Sequence, residues 1–193
     1  MIEKLIRQLN ALSPMSEAMS EQIRSVAKIT FYKKGEYILS EGQVCDKVAL
    51  VASGLVRFYY INNGREITSR LFEEGFIVSS WPSYYTQKPS TEFIEAAEDS
   101  TLVTISYRAI QKIYKEFPEA NVIGRKQTEF AYYLSELRTQ LLRKHTAVEK
   151  YKQFLTDHPT LLQRVPLKHI ASYLGISDET LSRVRSKYHR KKR

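Results

Sequence analysis

Residues 165–187 read VPLKHIASYLGISDETLSRVRSK, and this stretch decides what the chain is built to do. It predicts two short helices joined by a tight turn. Pro166 suits a first helical turn, where its missing N–H would have no partner anyway. Ile170, Ala171 and Leu174 fall at helical spacing and give the first helix an apolar face. Gly175 permits the left-handed backbone that ends a helix. Ser177 is a good cap for the next one, and Asp178-Glu179 put acid in its first turn. Leu181 and Val184 continue the buried face. Glu179, Ser182, Arg183, Arg185 and Lys187 are assigned to the opposite face. This is a helix-turn-helix pattern whose second helix carries groups suited to base edges and phosphates. A helical hairpin of any protein can show a turn glycine and spaced apolar residues, so the charge around the stretch is what points to DNA.

That charge is concentrated. The 193-residue chain has a formal net charge of +9. From Thr146 to Arg193 there are eleven Lys and Arg against four Asp and Glu, and the last eleven residues hold seven of those cations. A basic carboxy-terminal segment on a near-neutral remainder is the footprint of a phosphate-binding module. Lys168 on the first helix adds a cation, and Arg190–Arg193 is expected to add backbone contacts. One cysteine, Cys45, excludes a disulfide framework and any cysteine-built metal site within one chain. It reads as a small packed residue. Met1–Leu12 is interrupted by Glu3, Lys4, Arg7 and Gln8, so it has no signal-peptide character, and no stretch is long and apolar enough to span a membrane. A cytoplasmic protein with no membrane partner is expected.

Residues 2–27 predict one or two short helices, with Ser13-Pro14 as a break and Ser16 as a cap. From Ala27 to Ser106 the texture is that of an antiparallel β-roll or sandwich. Short β-rich runs at 29–32, 37–39, 48–52, 55–61, 66–72, 92–96 and 101–105 are separated by turn signals. Asn63-Gly64 between two such runs is a strong hairpin signal. Helix returns at Tyr107 and, after Pro118, continues to about Lys144. Ile123, Phe130 and Leu137 are seven apart, as are Gln127, Leu134 and Leu141, and together they form a seam suited to a parallel dimer helix. Gly124 weakens the first turns of that helix. Thr146-Ala-Val-Glu149 is a capping box that starts a new helix, so a hinge is expected at Lys144–Thr146. The fold class is α+β: a jelly-roll-like domain over 1–117, a dimerisation helix over 118–144 and a helix-turn-helix domain over 145–193.

This order of parts resembles the Crp/Fnr family of bacterial transcription regulators, and the stretch from Ile170 to Arg183 is close to that family's signature. The resemblance covers the whole chain. It implies a homodimer on a palindromic site in double-stranded DNA, with RNA polymerase as a candidate partner. It also implies that Arg183 reads a guanine and Glu179 the amino group of a cytosine, with Ser182 as a weaker contact. The chemistry agrees, because Arg pairs in a bidentate way with guanine and Glu accepts from cytosine. Asp178 departs from the cyclic-AMP receptor branch, which carries an arginine there. The stretch after the recognition helix is short for the β-wing that many members have, so the basic tail is expected to replace its contacts.

The sensor half departs further. Cyclic-nucleotide members carry a Gly-Glu pair on a short helix and an Arg-Ser/Thr pair before the next strand. This chain has Phe76-Ile-Val-Ser-Ser-Trp-Pro82 and Gln87-Lys-Pro-Ser-Thr-Glu92 in those places. Lys88 is the one cation nearby for a cyclic phosphate, and ordinary cyclic-AMP binding is not expected. An iron–sulfur cluster is excluded by the single cysteine, and the four histidines (145, 158, 169 and 189) all lie outside the roll. No cofactor is expected. Trp81, Tyr84 and Tyr85, with Phe93 and with Tyr132 and Tyr133 on the long helix, make an aromatic stretch, and the resemblance places Ser135 near where the family's long helix meets its ligand. The aromatic stretch suits core packing, or a pocket for an unidentified apolar effector. Two other readings bear on function: a regulator controlled by abundance or a protein partner, and a cupin-like metal enzyme. The second lacks histidine ligands anywhere before Lys144.

Overall fold

The computed structural model describes residues 1–190, with side chains described through Tyr188. Helices α1 (Ile2–Leu12) and α2 (Glu17–Val26) open the chain. Ser16 caps α2, its hydroxyl accepting from the Met19 N–H at 3.2 Å. Eight strands follow: β1 (Lys28–Tyr32), β2 (Tyr37–Leu39), β3 (Lys47–Ser53), β4 (Val56–Asn62), β5 (Arg65–Phe72), β6 (Ile77–Val78), β7 (Phe93–Ala96) and β8 (Ser100–Ser106), with the short helix α3 (Trp81–Thr86) between β6 and β7. They form two four-stranded sheets in the orders β1-β8-β3-β6 and β2-β7-β4-β5. Helices α4 (Tyr107–Glu116), α5 (Pro118–Lys144), α6 (Ala147–Asp157), α7 (Leu161–Arg164), α8 (Leu167–Leu174) and α9 (Asp178–Arg190) complete the chain. The antiparallel roll and the following helices are the expected α+β architecture. The two-residue β6, α3 and α7 escape a reading based on periodicity because each is shorter than the period that would reveal it.

The chain divides into two compact units. One comprises Met1–Phe58 and Leu71–Phe130, and the other comprises Tyr59–Arg70 and the chain from Ala131 onward. The first unit has two apolar layers, one on each face of the sheet β1-β8-β3-β6. Strand alternation sets them apart. Ala49, Val51 and Leu102 point between the sheets and pack with Val56, Phe58 and Ile94. Leu50, Val103 and Ile105 point outward and pack with Leu5, Met19, Ile23 and Ile113 from α1, α2 and α4. A buried ion pair joins β4 to β7, Arg57 Nε to Glu95 Oε1 at 2.7 Å.

Helix α5 carries the predicted seam, but its residues do not share one environment. Ile123 is buried in the outward core of its own chain, because α5 begins by packing on that layer. It is therefore not presented to a partner. Gln127, Leu134 and Leu141 are half-buried, and Phe130 and Leu137 are 48% and 45% exposed. The apolar stripe left open on α5 runs from Phe130 to Leu141.

Turns follow their residue chemistry. Asn63 and Gly64 take successive left-handed conformations (φ 50° and 73°), the type I′ hairpin that such a pair favours. Gly54, between β3 and β4, has φ +92°, and a Cβ there would lie 2.7 Å from the backbone of Asp99 and Ser100. Gly35 has a similar φ of +85° but open space around it. Both Gly54→Ala and Gly35→Ala carry backbone strain of about 1–3 kcal/mol. Gly54→Ala adds a backbone clash, so it lowers the melting temperature by several degrees more than Gly35→Ala in parallel thermal melts.

Candidate functional site

The second unit builds its own small core. Tyr151 and Phe154 of α6, Leu161 of α7, Ile170, Ala171 and Leu174 of α8, and Leu181 and Val184 of α9 are all buried. The capping box at the start of α6 is complete. Thr146 Oγ1 and the Thr146 N–H both donate to Glu149 Oε2, at 2.8 and 2.7 Å, and the Glu149 N–H donates back to Thr146 Oγ1 at 3.4 Å. Pro166 sits at the cap position of α8, one residue before the first helical turn. Gly175 ends α8 in the left-handed conformation (φ 62°) and turns the chain into α9.

Helix α9 exposes a narrow ridge. Glu179, Ser182 and Arg183 are exposed and lie three and four residues apart, opposite the buried pair Leu181 and Val184. Ser177 caps the helix, its hydroxyl accepting from the Thr180 N–H at 3.2 Å. The Ser177 hydroxyl, helped by the helix backbone and by the Arg183 charge, holds the Glu179 carboxyl below its ordinary value. The ridge therefore presents a carboxylate acceptor beside a guanidinium donor. Thr180, which sequence reasoning passed over, accepts from Arg183 Nη2 at 3.2 Å and orients that side chain. Its signal was the three-residue spacing to Arg183. Lys187 and Lys168 are exposed. Arg185 is a correction. It follows Val184, stands four residues after Leu181 and is half-buried, with its Nε lacking a hydrogen-bond partner. It flanks the packed face and is separate from the ridge. Side chains of the basic run Arg190–Arg193 lie outside the described residues.

Two further contacts within this unit hold α8. The Arg138 guanidinium lies over the Tyr173 ring, 3.7 Å from its centroid, and donates to the Tyr173 carbonyl. Burial lowers the Arg138 pKa, and its Nε and Nη1 have no partner. Ser172 Oγ accepts from the Thr68 N–H at 2.9 Å and donates to the Glu66 carbonyl at 3.4 Å.

The predicted pocket residues separate. Trp81, Tyr84 and Tyr85 of α3 form one aromatic cluster, with ring centroids 5.6–5.9 Å apart. All three line a cavity of about 140 Å³ in the first unit. Lys88 is exposed and is not part of its lining, because α3 ends at Thr86 and the chain turns away through a left-handed Gln87. Tyr133 and Ser135 are exposed and belong to the other unit.

The places where cyclic-nucleotide proteins carry their ligand pairs hold a closed hydroxyl network. Ser80 Oγ donates to Glu92 Oε1 at 2.8 Å and meets Ser90 Oγ at 3.2 Å. Ser90 Oγ donates to the Glu92 carbonyl at 2.9 Å, and Ser83 Oγ to the Lys88 carbonyl at 2.5 Å. Ser79 Oγ donates to the Lys47 carbonyl at 3.0 Å and contacts the buried Cys45 sulfur at 3.3 Å. Among the described residues, no group of three or more His, Cys, Asp or Glu could hold a metal ion, and no helix is long and apolar enough to cross a membrane.

Residues 29–117 match the cyclic nucleotide-binding domain family. The nitrogen fixation regulation protein FixK of Rhizobium meliloti (strain 1021) is 27% identical over 176 residues, spanning 82% of this chain and 74% of that protein. The structure of FixK2 from Bradyrhizobium japonicum superposes with a TM-score of 0.76 at 22% identity, covering 86% of each chain. A protein from Eubacterium rectale assigned to the Crp/Fnr family of transcriptional regulators gives a TM-score of 0.70 at 21% identity, over 92% of this chain and 85% of that one.

The Glu179 carboxyl should titrate below an ordinary glutamate when followed by carbon-detected NMR. Because its pKa is depressed, what this group contributes to stability is present above the unfolded value and is lost as pH falls through the folded one. Ser177→Ala moves the midpoint up toward the ordinary value. An unchanged midpoint in that variant would show that the cap hydroxyl does not set the charge of the ridge.

Proposed function

We propose that this chain is a transcription regulator of the Crp/Fnr type that acts as a homodimer and binds a palindromic site in double-stranded DNA, a reading supported by its likeness to FixK and to the solved regulator structures. In this reading each α9 enters a major groove, with half-sites about one helical turn (~10 bp) apart. The observation that carries the reading is the exposed ridge Glu179, Ser182 and Arg183, fixed in direction by the buried Leu181 and Val184. Arg183 reads a guanine, Glu179 a cytosine amino group, and Ser182 a neighbouring edge. Ser177 and Thr180 position the two readers. Lys187, Lys168 and the basic run at 190–193 contact phosphates, and Arg185 contributes from the flank of the helix.

The dimer forms along α5 through Phe130, Leu134, Leu137 and Leu141, with Gln127 setting register. The functional division is a sensor over 1–117, the dimer helix over 118–144 and the DNA-binding part from 145, hinged at Lys144–Thr146. A small effector acting on the sensor shifts the hinge between arrangements that differ in DNA affinity. That effector is not cyclic AMP, since the stretch from Phe76 to Pro82 holds no Gly-Glu pair, and the hydroxyls of Ser79, Ser80 and Ser90 are bonded within the chain. The same closed network favours a second reading, in which no ligand enters between the sheets and control comes from abundance or a protein partner. RNA polymerase is the partner expected of an activator.

Random-site selection followed by gel-shift titration tests this. A palindrome should enrich, and failure to enrich one, with or without cell extract, overturns the reading. Arg183→Ala should weaken binding to the selected site by about 5- to 150-fold while leaving non-specific binding nearly unchanged. Neutralising residues 190–193 should instead flatten the salt dependence for all sequences. In sedimentation, Leu137→Glu should convert the dimer to a monomer and abolish palindrome binding.

A further inference from the structure

The hairpin formed by β4 and β5 is divided between the two units. Val56 and Phe58 belong to the core between the sheets, whereas the chain from Tyr59 to Arg70 belongs to the second unit. Residues 60–66 at the tip are exposed, but Tyr59 and Thr68 behind them are buried, at 3% and 1% exposure. β5 is the end strand of its sheet. A strand in that place presents backbone N–H and C=O groups that no further strand takes up. Ser172 of α8 engages two such groups. Its hydroxyl accepts from the Thr68 N–H at 2.9 Å and donates to the Glu66 carbonyl at 3.4 Å. These groups lie two residues apart, so the alternation of the strand turns both to the same side.

The next residue of α8 is held by other elements of the same unit. The Arg138 guanidinium of α5 lies over the Tyr173 ring and donates to the Tyr173 carbonyl. The rings of Phe154 and His158 stand against Tyr173 as well, with centroids 5.8 and 6.1 Å away. Helix α8 packs in turn on α9, so whatever fixes α8 also fixes the direction of the α9 ridge. Glu179, Ser182 and Arg183 stay exposed while the Ser172 contact is made. The contact therefore suits a molecule ready to bind, not one whose reading face is covered.

We propose that the β4–β5 hairpin is a latch on the helix-turn-helix, closed by Ser172, and that the closed latch is the arrangement with high affinity for a palindrome. The contact stands on its own geometry, whereas its role in affinity rests on the DNA-binding reading above. Two half-sites are engaged together only when the two α9 helices of a dimer are held at the half-site spacing. A hinge at Lys144–Thr146 alone leaves that spacing loose, and the latch removes the freedom before binding. β4 and β5 also run from the latch into the first unit, where Val56 and Phe58 are core residues. A change of packing in the roll therefore has a covalent route to Ser172 that bypasses the hinge.

Ser172→Ala opens the latch and spares α8, since alanine is the best helix former. Losing the hydroxyl should weaken binding to the selected palindrome by about fivefold per protomer, and so by about 25-fold for a dimer. Binding to a duplex with a single half-site should not change, because one protomer needs no fixed spacing. A loss on the half-site as large as on the palindrome would make Ser172 a direct DNA contact or a folding residue and overturn the latch. Amide hydrogen exchange at Thr68 in the full-length protein reports the contact itself. It should be slower in the wild type than in Ser172→Ala, and the palindrome should slow it further in the wild type only. Equal exchange in the two proteins, or faster exchange at Thr68 on DNA binding, would each overturn the proposal. Wild type and Ser172→Ala binding the palindrome equally well reject the latch and keep the DNA reading. A wild type that enriches no palindrome rejects the DNA reading and the latch's role with it.

Discussion

The sheet β1-β8-β3-β6 must be covered on both faces, because Leu50, Val103 and Ile105 alternate with Ala49, Val51 and Leu102 along the same strands. One face is covered by the second sheet of the roll. The other would lie open to water without α1, α2, α4 and the start of α5. At roughly 25 cal/mol per Å² of apolar surface, that cover is the main reason the helices dock. It explains why a roll that could close on itself needs helices from both ends of its own sequence. It also explains why Ile123 is spent inside the chain, and where the open part of the α5 stripe begins.

Much of this was legible in the sequence, for identifiable reasons. Strands separated by glycine turns, Asn63-Gly64, the capping box at Thr146 and the Gly175 break each rest on local chemistry that the structure has little freedom to override. Ile123 misled because heptad spacing reports only that a residue is apolar and on one side of a helix. Whether the neighbour is a partner or the chain's own sheet depends on contacts distant in sequence. Arg185 misled because a long cationic side chain looks exposed wherever it falls, although its position after Val184 sets it on the flank of the packed face. Gly124 read as a flaw in a helix. In the structure a Cβ there would come within 2.4–2.9 Å of the Tyr114 phenol ring and hydroxyl, so the missing side chain is room for a neighbour.

The exposed ridge of α9 illustrates how packing defines a surface. Nothing intrinsic to Glu179 and Arg183 makes them a pair, since opposite charges four residues apart on an exposed helix attract weakly. Burying Leu181 and Val184 fixes the roll of α9 about its axis, and the ridge then faces outward by necessity. Ser177 and Thr180 add a finer constraint. One lowers the Glu179 pKa while capping the helix, and the other accepts from Arg183. Neither needs to touch a ligand to matter. They hold one acceptor and one donor in a fixed arrangement at low cost, since both hydroxyls lie within hydrogen-bond reach anyway.

The two interior regions of the first unit make opposite chemical statements. Between the sheets, Ser79, Ser80, Ser83 and Ser90 are turned onto carbonyls and a carboxylate of the chain itself. An anion entering there would meet Glu92 and would have to break bonds already made, with no cation in the network to compensate. On the outer face of the sheet the surroundings are apolar instead, with Leu50, Val103 and Ile105 packed against Leu5, Met19, Ile23 and Ile113. Selectivity arises from what a site leaves unsatisfied, because a group already paired has nothing further to offer a guest. By that criterion the hydroxyls of Ser79, Ser80, Ser83 and Ser90 have nothing further to offer an incoming phosphate.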